Sequence, residues 1–302
     1  MTQPLERAHG IVPALLTPYL DDGAPNLPEL GRLTAALLER GVAGFYVGGS
    51  TGDGVMQTPE ERLACIEVVV AETGGQVPVI AHIGTNATRL SLDLAGRAAA
   101  AGVDAVSAIL PSVPLTPAEQ LDYFRTLARG CDVPFVAYNF PGRTGVDLSV
   151  EFFAALAEET NVAGVKFTSL DMFGLQQLAR IGDGRLAIWN GHDEVALAGL
   201  VSGACGAIGS TFNAAPELFV RLLEQFRRGD YDAARATQVS VSNYVRDLVA
   251  TGVLPTLREL LRLQGFAMGP SRHPLHDLDA DGAARVRTLF AAHPELFTPS
   301  GL

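Results

Sequence analysis

The chain has 302 residues, 33 acidic against 22 basic side chains, and a formal net charge of −11. That balance excludes the basic face that nucleic acids and anionic membranes require. With 48% hydrophobic and 18% charged residues it lies far from disordered compositions and fills one large α/β barrel or two smaller domains.

The first ten residues, MTQPLERAHG, lack the basic start and apolar stretch of a signal peptide. Cys65, Cys131 and Cys205 are isolated in apolar surroundings with no CxxC or Cys/His ligand spacing, as expected of buried thiols in a reducing, cytoplasmic compartment.

From residue 11 onward, short apolar runs alternate with polar loops and helical segments. The strand-like runs are IVPALLT (11–17), VAGFYVG (42–48), VPVIAHI (77–83), VDAVSAIL (103–110), VPFVAYN (133–139), VAGVKF (162–167), LAIWN (186–190) and GAIGS (206–210). They are nearly continuously apolar, as parallel strands covered on both faces are. Between them, Leu30, Leu33 and Leu37 form a helical stripe. TPEE at 58–61 and TPAE at 116–119 are capping boxes with proline at the first helical position. Gly41, Gly102 and Gly203 stand where a helix ends and a strand begins. Residues 195–216 carry no charge and reach membrane-spanning length, but their glycines, Ser210, Thr211 and Asn213 read as helix, glycine stop, strand and loop.

Eight βα units imply a (β/α)8, or TIM, barrel over residues 1–227, with a doubly wound sheet as the alternative. Residues 228–302 hold no strand-like run and predict a C-terminal helical extension packed on the barrel or on a neighbouring subunit.

In such a barrel the chemistry sits at the C-terminal ends of the strands. Those positions hold Ser50 and Thr51, Tyr138 and Asn139, Lys166 and Thr168, Asp193 and Glu194, and Ser210 and Thr211. Lys166 is the only lysine, the other 21 basic residues being arginine. Arginine serves any surface charge but not as an amine, because its guanidinium stays protonated. Burial in an apolar barrel mouth lowers a lysine pKa from near 10.4 and frees the lone pair for attack on a carbonyl. The structural alternative is a lysine that reaches the rim or pairs with Glu194. The glycine-rich loop 48–52 (GGSTG) offers N–H groups and hydroxyls to a carboxylate or phosphate, or is an ordinary βα turn. Tyr138 either moves protons at the rim or is a core aromatic. No histidine pair completes a metal site with Asp193 and Glu194, so none is expected. His192, His273 and His276 read as structural or exposed.

GGSTG at 48–52, YNFPGRTG at 138–145 and GVKFTS at 164–169 together resemble the pyruvate-dependent class I aldolases, the family of N-acetylneuraminate lyase and dihydrodipicolinate synthase, over nearly the whole chain. GGSTG, NGHDE at 190–194 and IGSTFN at 208–213 are closer to the lyase branch. The resemblance implies Lys166 as the Schiff-base lysine and Tyr138 as the proton-transfer residue. It implies Ser50 and Thr51 as the holders of the substrate carboxylate, and Thr168, Gly191, Asp193, Glu194 and Ser210 as receivers of a sugar-acid tail. Arg143 either orients the site or binds an acidic substrate. It further implies a small keto or sugar acid as the only partner, no cofactor, and a homotetramer. Three departures stand out. Asp53 replaces the usual glutamate after GGSTG, His192 replaces another ring, and the loop 110–114 (LPSVP) has no tyrosine where many members send one into a neighbouring subunit.

Overall fold

The computed structural model describes residues 5–294 together with 296 and 297. The first four residues of the stretch read for a leader, and the end of the helical tail, lie outside that range.

Eight strands form one parallel sheet: β1 (Ile11–Pro13), β2 (Phe45–Val47), β3 (Val79–His82), β4 (Ala105–Ile109), β5 (Phe135–Asn139), β6 (Val162–Phe167), β7 (Ala187–Asn190) and β8 (Gly206–Gly209). Their order is β1-β8-β7-β6-β5-β4-β3-β2. The remaining seam is closed by a parallel bridge between Ala14 and Tyr46, and by hydrogen bonds from Leu15 N to Tyr46 O (2.9 Å) and from Ala43 N to Ile11 O (2.8 Å). The sheet is therefore a barrel and not a doubly wound open layer. Several strands are shorter than their apolar runs because the runs report burial, not ladder pairing. Val42 and Val77, for example, precede their strands and pack against the outer core.

Strand alternation divides the apolar residues into two cores. Val12, Tyr46, Ile80, Ile109, Val136, Trp189 and Ile208 point inward, whereas the opposite faces pack under the helices. Leu5 and Ala8 close the bottom, where the Trp189 Nε1–H donates to Ala8 O at 2.9 Å. Both capping boxes form reciprocally, at Thr58 with Glu61 and at Thr116 with Glu119. The uncharged run 195–216 divides as anticipated into the helix Ala196–Val201, β8 and the 3-10 turn Thr211–Asn213. Among the described residues no helix is long and apolar enough to cross a membrane.

Three long helices, Tyr231–Val249, Val253–Leu263 and Ala280–Ala292, follow the barrel. The first two brace the loops at the strands' C-terminal ends. The Tyr244 hydroxyl donates to Thr211 O (3.1 Å), Gln238 Nε2 donates to Glu194 O (2.8 Å), and Arg258 Nη1 donates to Thr17 O (3.2 Å). Of the cysteines only Cys65 is buried; Cys131 and Cys205 are half-buried because each lies on a loop leading into a strand. Burial pushes the thiols up, to about 12 for Cys65 and Cys205 and about 11 for Cys131.

Candidate active site

Register aligns Tyr138 of β5 with Lys166 of β6 and with Trp189 of β7. In a parallel sheet, aligned residues send their side chains to the same face. All three enter the barrel, where the Trp189 indole packs against the bare Cα of Gly164 and reaches Ala8 at the bottom. The Lys166 Nζ lies 4.3 Å from the ring centroid of Tyr138 and 4.3 Å from that of Tyr46 on β2. The two rings meet edge to face, with centroids 6.1 Å apart.

Lys166 is 5% exposed, and burial lowers its pKa to about 7, with the Asp193 carboxylate working in the opposite direction. A large fraction of the amine is therefore neutral at physiological pH, which is the state a nucleophile needs. Burial likewise pushes the Tyr138 phenol up to about 12, with the hydroxyls of Thr168 and Ser50 and the charge of Arg143 opposing it. The phenol therefore stays protonated at physiological pH.

Asp193 follows β7 and turns into the barrel. Its Oδ2 accepts from Thr211 N (3.0 Å) and Thr211 Oγ1 (2.7 Å), while its buried Oδ1 has no hydrogen-bond partner among the described residues. Burial raises its pKa to about 6. The carboxylate lies against the bare Cα of Gly209, where a Cβ would come within 1.9 Å of Oδ1. Gly191 does the same for Thr168, since a Cβ there would stand 1.9 Å from Oγ1. Glu194 turns the other way, as adjacent acids on an extended loop are free to do. Its Oε1 meets His192 Nδ1 at 3.1 Å, and Ser210, directly after β8, is half-buried.

In the loop 48–52, neither the Ser50 nor the Thr51 N–H donates a hydrogen bond among the described residues. Asp53 ends the loop in the left-handed region (φ 58°), which aspartate tolerates better than most side chains. It pairs with Arg258 Nη2 at 3.4 Å, both side chains being 3% exposed. The carboxylate in this pair is one the sequence marked only as a departure; its partner lies far along the chain.

Arg143 is exposed on the short helix Pro141–Thr144. It forms a wall of a cavity of about 820 Å3 that opens between the loops following β2, β3, β4 and β5. Neither Lys166 nor Tyr138 lines that cavity, whereas Val113 of the tyrosine-free loop does. Arg62, which lines the same cavity, forms a buried pair with His82 that the sequence does not signal. Arg62 donates to Gly84 O at 3.1 Å and to His82 O, and its Nη2 lies 3.2 Å from His82 Nδ1. Burial, with Arg62 and Lys166 adding to it, holds His82 well below its ordinary value, so the ring is neutral. His192 is half-buried beside Phe140, and His273 and His276 are exposed.

The site thus presents a largely neutral amine, a protonated phenol and, among the described residues, backbone N–H groups and a carboxylate oxygen without hydrogen-bond partners, all at the C-terminal end of one barrel. Comparison with known proteins supplies its relatives. The profile of the Dihydrodipicolinate synthetase family matches residues 7–293. The N-acetylneuraminate lyase of Rhizobium meliloti (strain 1021) is 35% identical over 286 residues, covering 94% of this chain and 95% of that one. The solved catalytic lysine mutant of Ruminococcus gnavus sialic acid aldolase superposes with a TM-score of 0.91 at 29% identity, covering 97% of this chain and 99% of that one. The dihydrodipicolinate synthase of Aquifex aeolicus superposes with a TM-score of 0.90 at 25% identity, covering 95% and 99%.

Proposed function

Because the chain belongs to the dihydrodipicolinate synthetase family, we propose that it is a class I aldolase that reversibly cleaves a 2-keto-3-deoxy sugar acid to pyruvate and an aldehyde. The substrate we assign is N-acetylneuraminate, with N-acetylmannosamine as the aldehyde, in line with the lyase relatives. The observation that carries the reading is Lys166 itself: the only lysine, buried between two tyrosine rings, with its pKa lowered to about 7.

In this mechanism the Lys166 amine adds to the C2 ketone. The carbonyl oxygen takes up protons, assisted by Tyr138, and leaves as water, so that nitrogen carries the positive charge of an iminium ion. The C3–C4 electron pair moves toward that cation as the C4 hydroxyl loses its proton, releasing the aldehyde and leaving an enamine. Protonation at C3 and hydrolysis return pyruvate and the free amine. The lysine supplies the electron sink, so the chemistry calls for no metal or organic cofactor.

Ser50 and Thr51 hold the substrate carboxylate in this assignment, on the strength of their uncommitted N–H groups. Thr168, Gly191, Asp193, Glu194 and Ser210 receive the polyhydroxy tail, with the unpartnered Asp193 Oδ1 as one acceptor. Hydrogen bonds to substrate hydroxyls discriminate strongly against analogues lacking them. Arg143, whose charge reaches Tyr138, supplies a positive charge toward an acidic substrate. A homotetramer working in the cytoplasm completes the proposal.

One observation favours a second reading within the same chemistry. Val113 stands in the loop where many relatives carry a tyrosine, which supports a different aldehyde partner, as in a 2-keto-3-deoxy-sugar-acid or hydroxy-oxoglutarate aldolase or a dihydrodipicolinate synthase. A protein that binds the keto acid without turning it over is the reading from another class. Pyruvate release from a panel of sugar acids by the parent and a Lys166→Arg variant tests all of these. Release by the parent alone supports the aldolase. Borohydride trapping of pyruvate on Lys166 without turnover of any panel member favours the binding protein.

A further inference from the structure

In the sequence Tyr46 belongs to the apolar run VAGFYVG, and no step of the proposed chemistry falls to it. Its position is unusual for a core tyrosine. The side chain is fully buried, and its hydroxyl is satisfied inside the barrel by donation to Ser107 Oγ at 3.0 Å. The hydroxyl is therefore directed away from the chemistry, and the ring face is what meets the lysine nitrogen, 4.3 Å from centroid to Nζ. The ring is also held from its other neighbours. Tyr138 contacts it edge to face at 6.1 Å, His82 lies 6.1 Å away, and a Cβ on Gly49 would stand 2.6 Å from Tyr46 Cε1, so the backbone of the GGSTG loop lies directly on the ring.

We propose that the π face of Tyr46, and not its hydroxyl, is a second electrostatic partner of the reacting nitrogen, stabilising the cation that forms on it. The inference rests on Lys166 being the Schiff-base residue. An aromatic face attracts a cation through its quadrupole, more strongly where water is excluded. When the amine condenses with a ketone and the carbonyl oxygen leaves as water, a full positive charge resides on nitrogen. It sits where burial disfavours charge, so a preorganised negative face acts at the point where charge develops. The same face stabilises the ammonium of the free enzyme and limits how far burial lowers its pKa. Groups facing Lys166 from the surrounding elements divide in sign. Asp193, after β7, favours the cation. The neutral His82 of β3 and the protonated Tyr138 of β5 add no charge, and the positive charge of the exposed Arg143 acts on those two rings.

Because the chain has a single lysine, protein grown on 13C-lysine gives one side-chain NMR resonance, whose midpoint reports Lys166 whatever the protein's activity. The expected result compares Tyr46→Phe, which keeps the face and loses the hydroxyl, with Tyr46→Leu, which loses the face. Tyr46→Phe should titrate within a few tenths of the parent and retain turnover to within about threefold, whereas Tyr46→Leu should titrate about one pH unit lower and lose about tenfold or more in kcat. Tyr46→pentafluorophenylalanine keeps the shape and reverses the quadrupole, so it should follow the leucine variant and covers the case in which that variant does not fold. An unchanged or raised midpoint in the leucine and pentafluoro variants would overturn the proposal, as would an equal loss in all three. Borohydride trapping on the parent is run alongside. Its failure would overturn the Schiff-base assignment, while the titration still decides whether the ring holds the cation.

Discussion

Tyr138 and Lys166 are register partners on adjacent central strands, and Nζ of the lysine stands 4.3 Å from the tyrosine ring. Neither residue depends on a mobile loop for its position, so phenol and amine are held in fixed relation by the ladder itself. Tyr138→Phe preserves the ring and removes only the proton donor. It should lower kcat by about 10²- to 10⁴-fold, the usual worth of a positioned acid–base group. Pyruvate should remain trappable on Lys166, more slowly, by borohydride and mass spectrometry.

The pH dependence of kcat/KM should show an acid limb near pH 7, because attack requires the neutral amine and the Lys166 pKa is about 7. Asp193 acts on that value by favouring the ammonium. Asp193→Asn should therefore move the acid limb to lower pH, in addition to weakening any hold on the substrate tail that the proposal assigns to it. A limb that stays in place in the asparagine variant would mean that another group controls it. Steady-state rates from pH 5 to 9 decide the point.

How much of this could be read from the residues alone follows from which signals are local. The eight runs, both capping boxes and the convergence of Lys166, Tyr138, Thr168 and Asp193 are local or topological, and the closed barrel brings them together. Tyr46 was not legible as a site residue because a tyrosine inside an apolar run looks like core, and it is core on every side but one. Arg62 was missed for the opposite reason. An arginine in the helix Pro59–Thr73 reads as a solvated face, whereas here it turns under the sheet to the carbonyls of His82 and Gly84. Arg258 gave no signal because the carboxylate that explains it is Asp53, on the far side of the chain's length.

Burial of Lys166 should make the active site a source of instability with a defined pH window. Its pKa falls from near 10.4 unfolded to about 7 folded, so between those values the unfolded chain binds the extra proton and stability rises with pH. Below about pH 7 the penalty is fully present and amounts to a few kcal/mol. Lys166→Met should thus be more stable than the parent at pH 6, and the advantage should shrink toward pH 10. Urea unfolding at the two ends of that range measures it.

The Asp53–Arg258 pair couples the helix Val253–Leu263 to the loop that carries Ser50 and Thr51, and its energetics are those of a buried ion pair. Asp53→Asn leaves Arg258 with two carbonyls, Thr17 O and Met268 O, and no carboxylate within ion-pair distance among the described residues, Asp277 acting only from further off. Breaking one side of such a pair costs about 3–5 kcal/mol, mostly through the stranded charge. Arg258→Met strands the carboxylate instead, though its raised pKa of about 6 lets it neutralise by protonation, so that loss should be smaller at pH 5 than at pH 8. The double variant strands neither charge and should be more stable than the sum of the two losses predicts, by at least about 1 kcal/mol for residues in contact. Because Asp53 fixes the end of the GGSTG loop, the single variants should raise KM more than they lower kcat. Strict additivity in denaturant unfolding, with KM unchanged, would reduce the pair to a coincidence of packing.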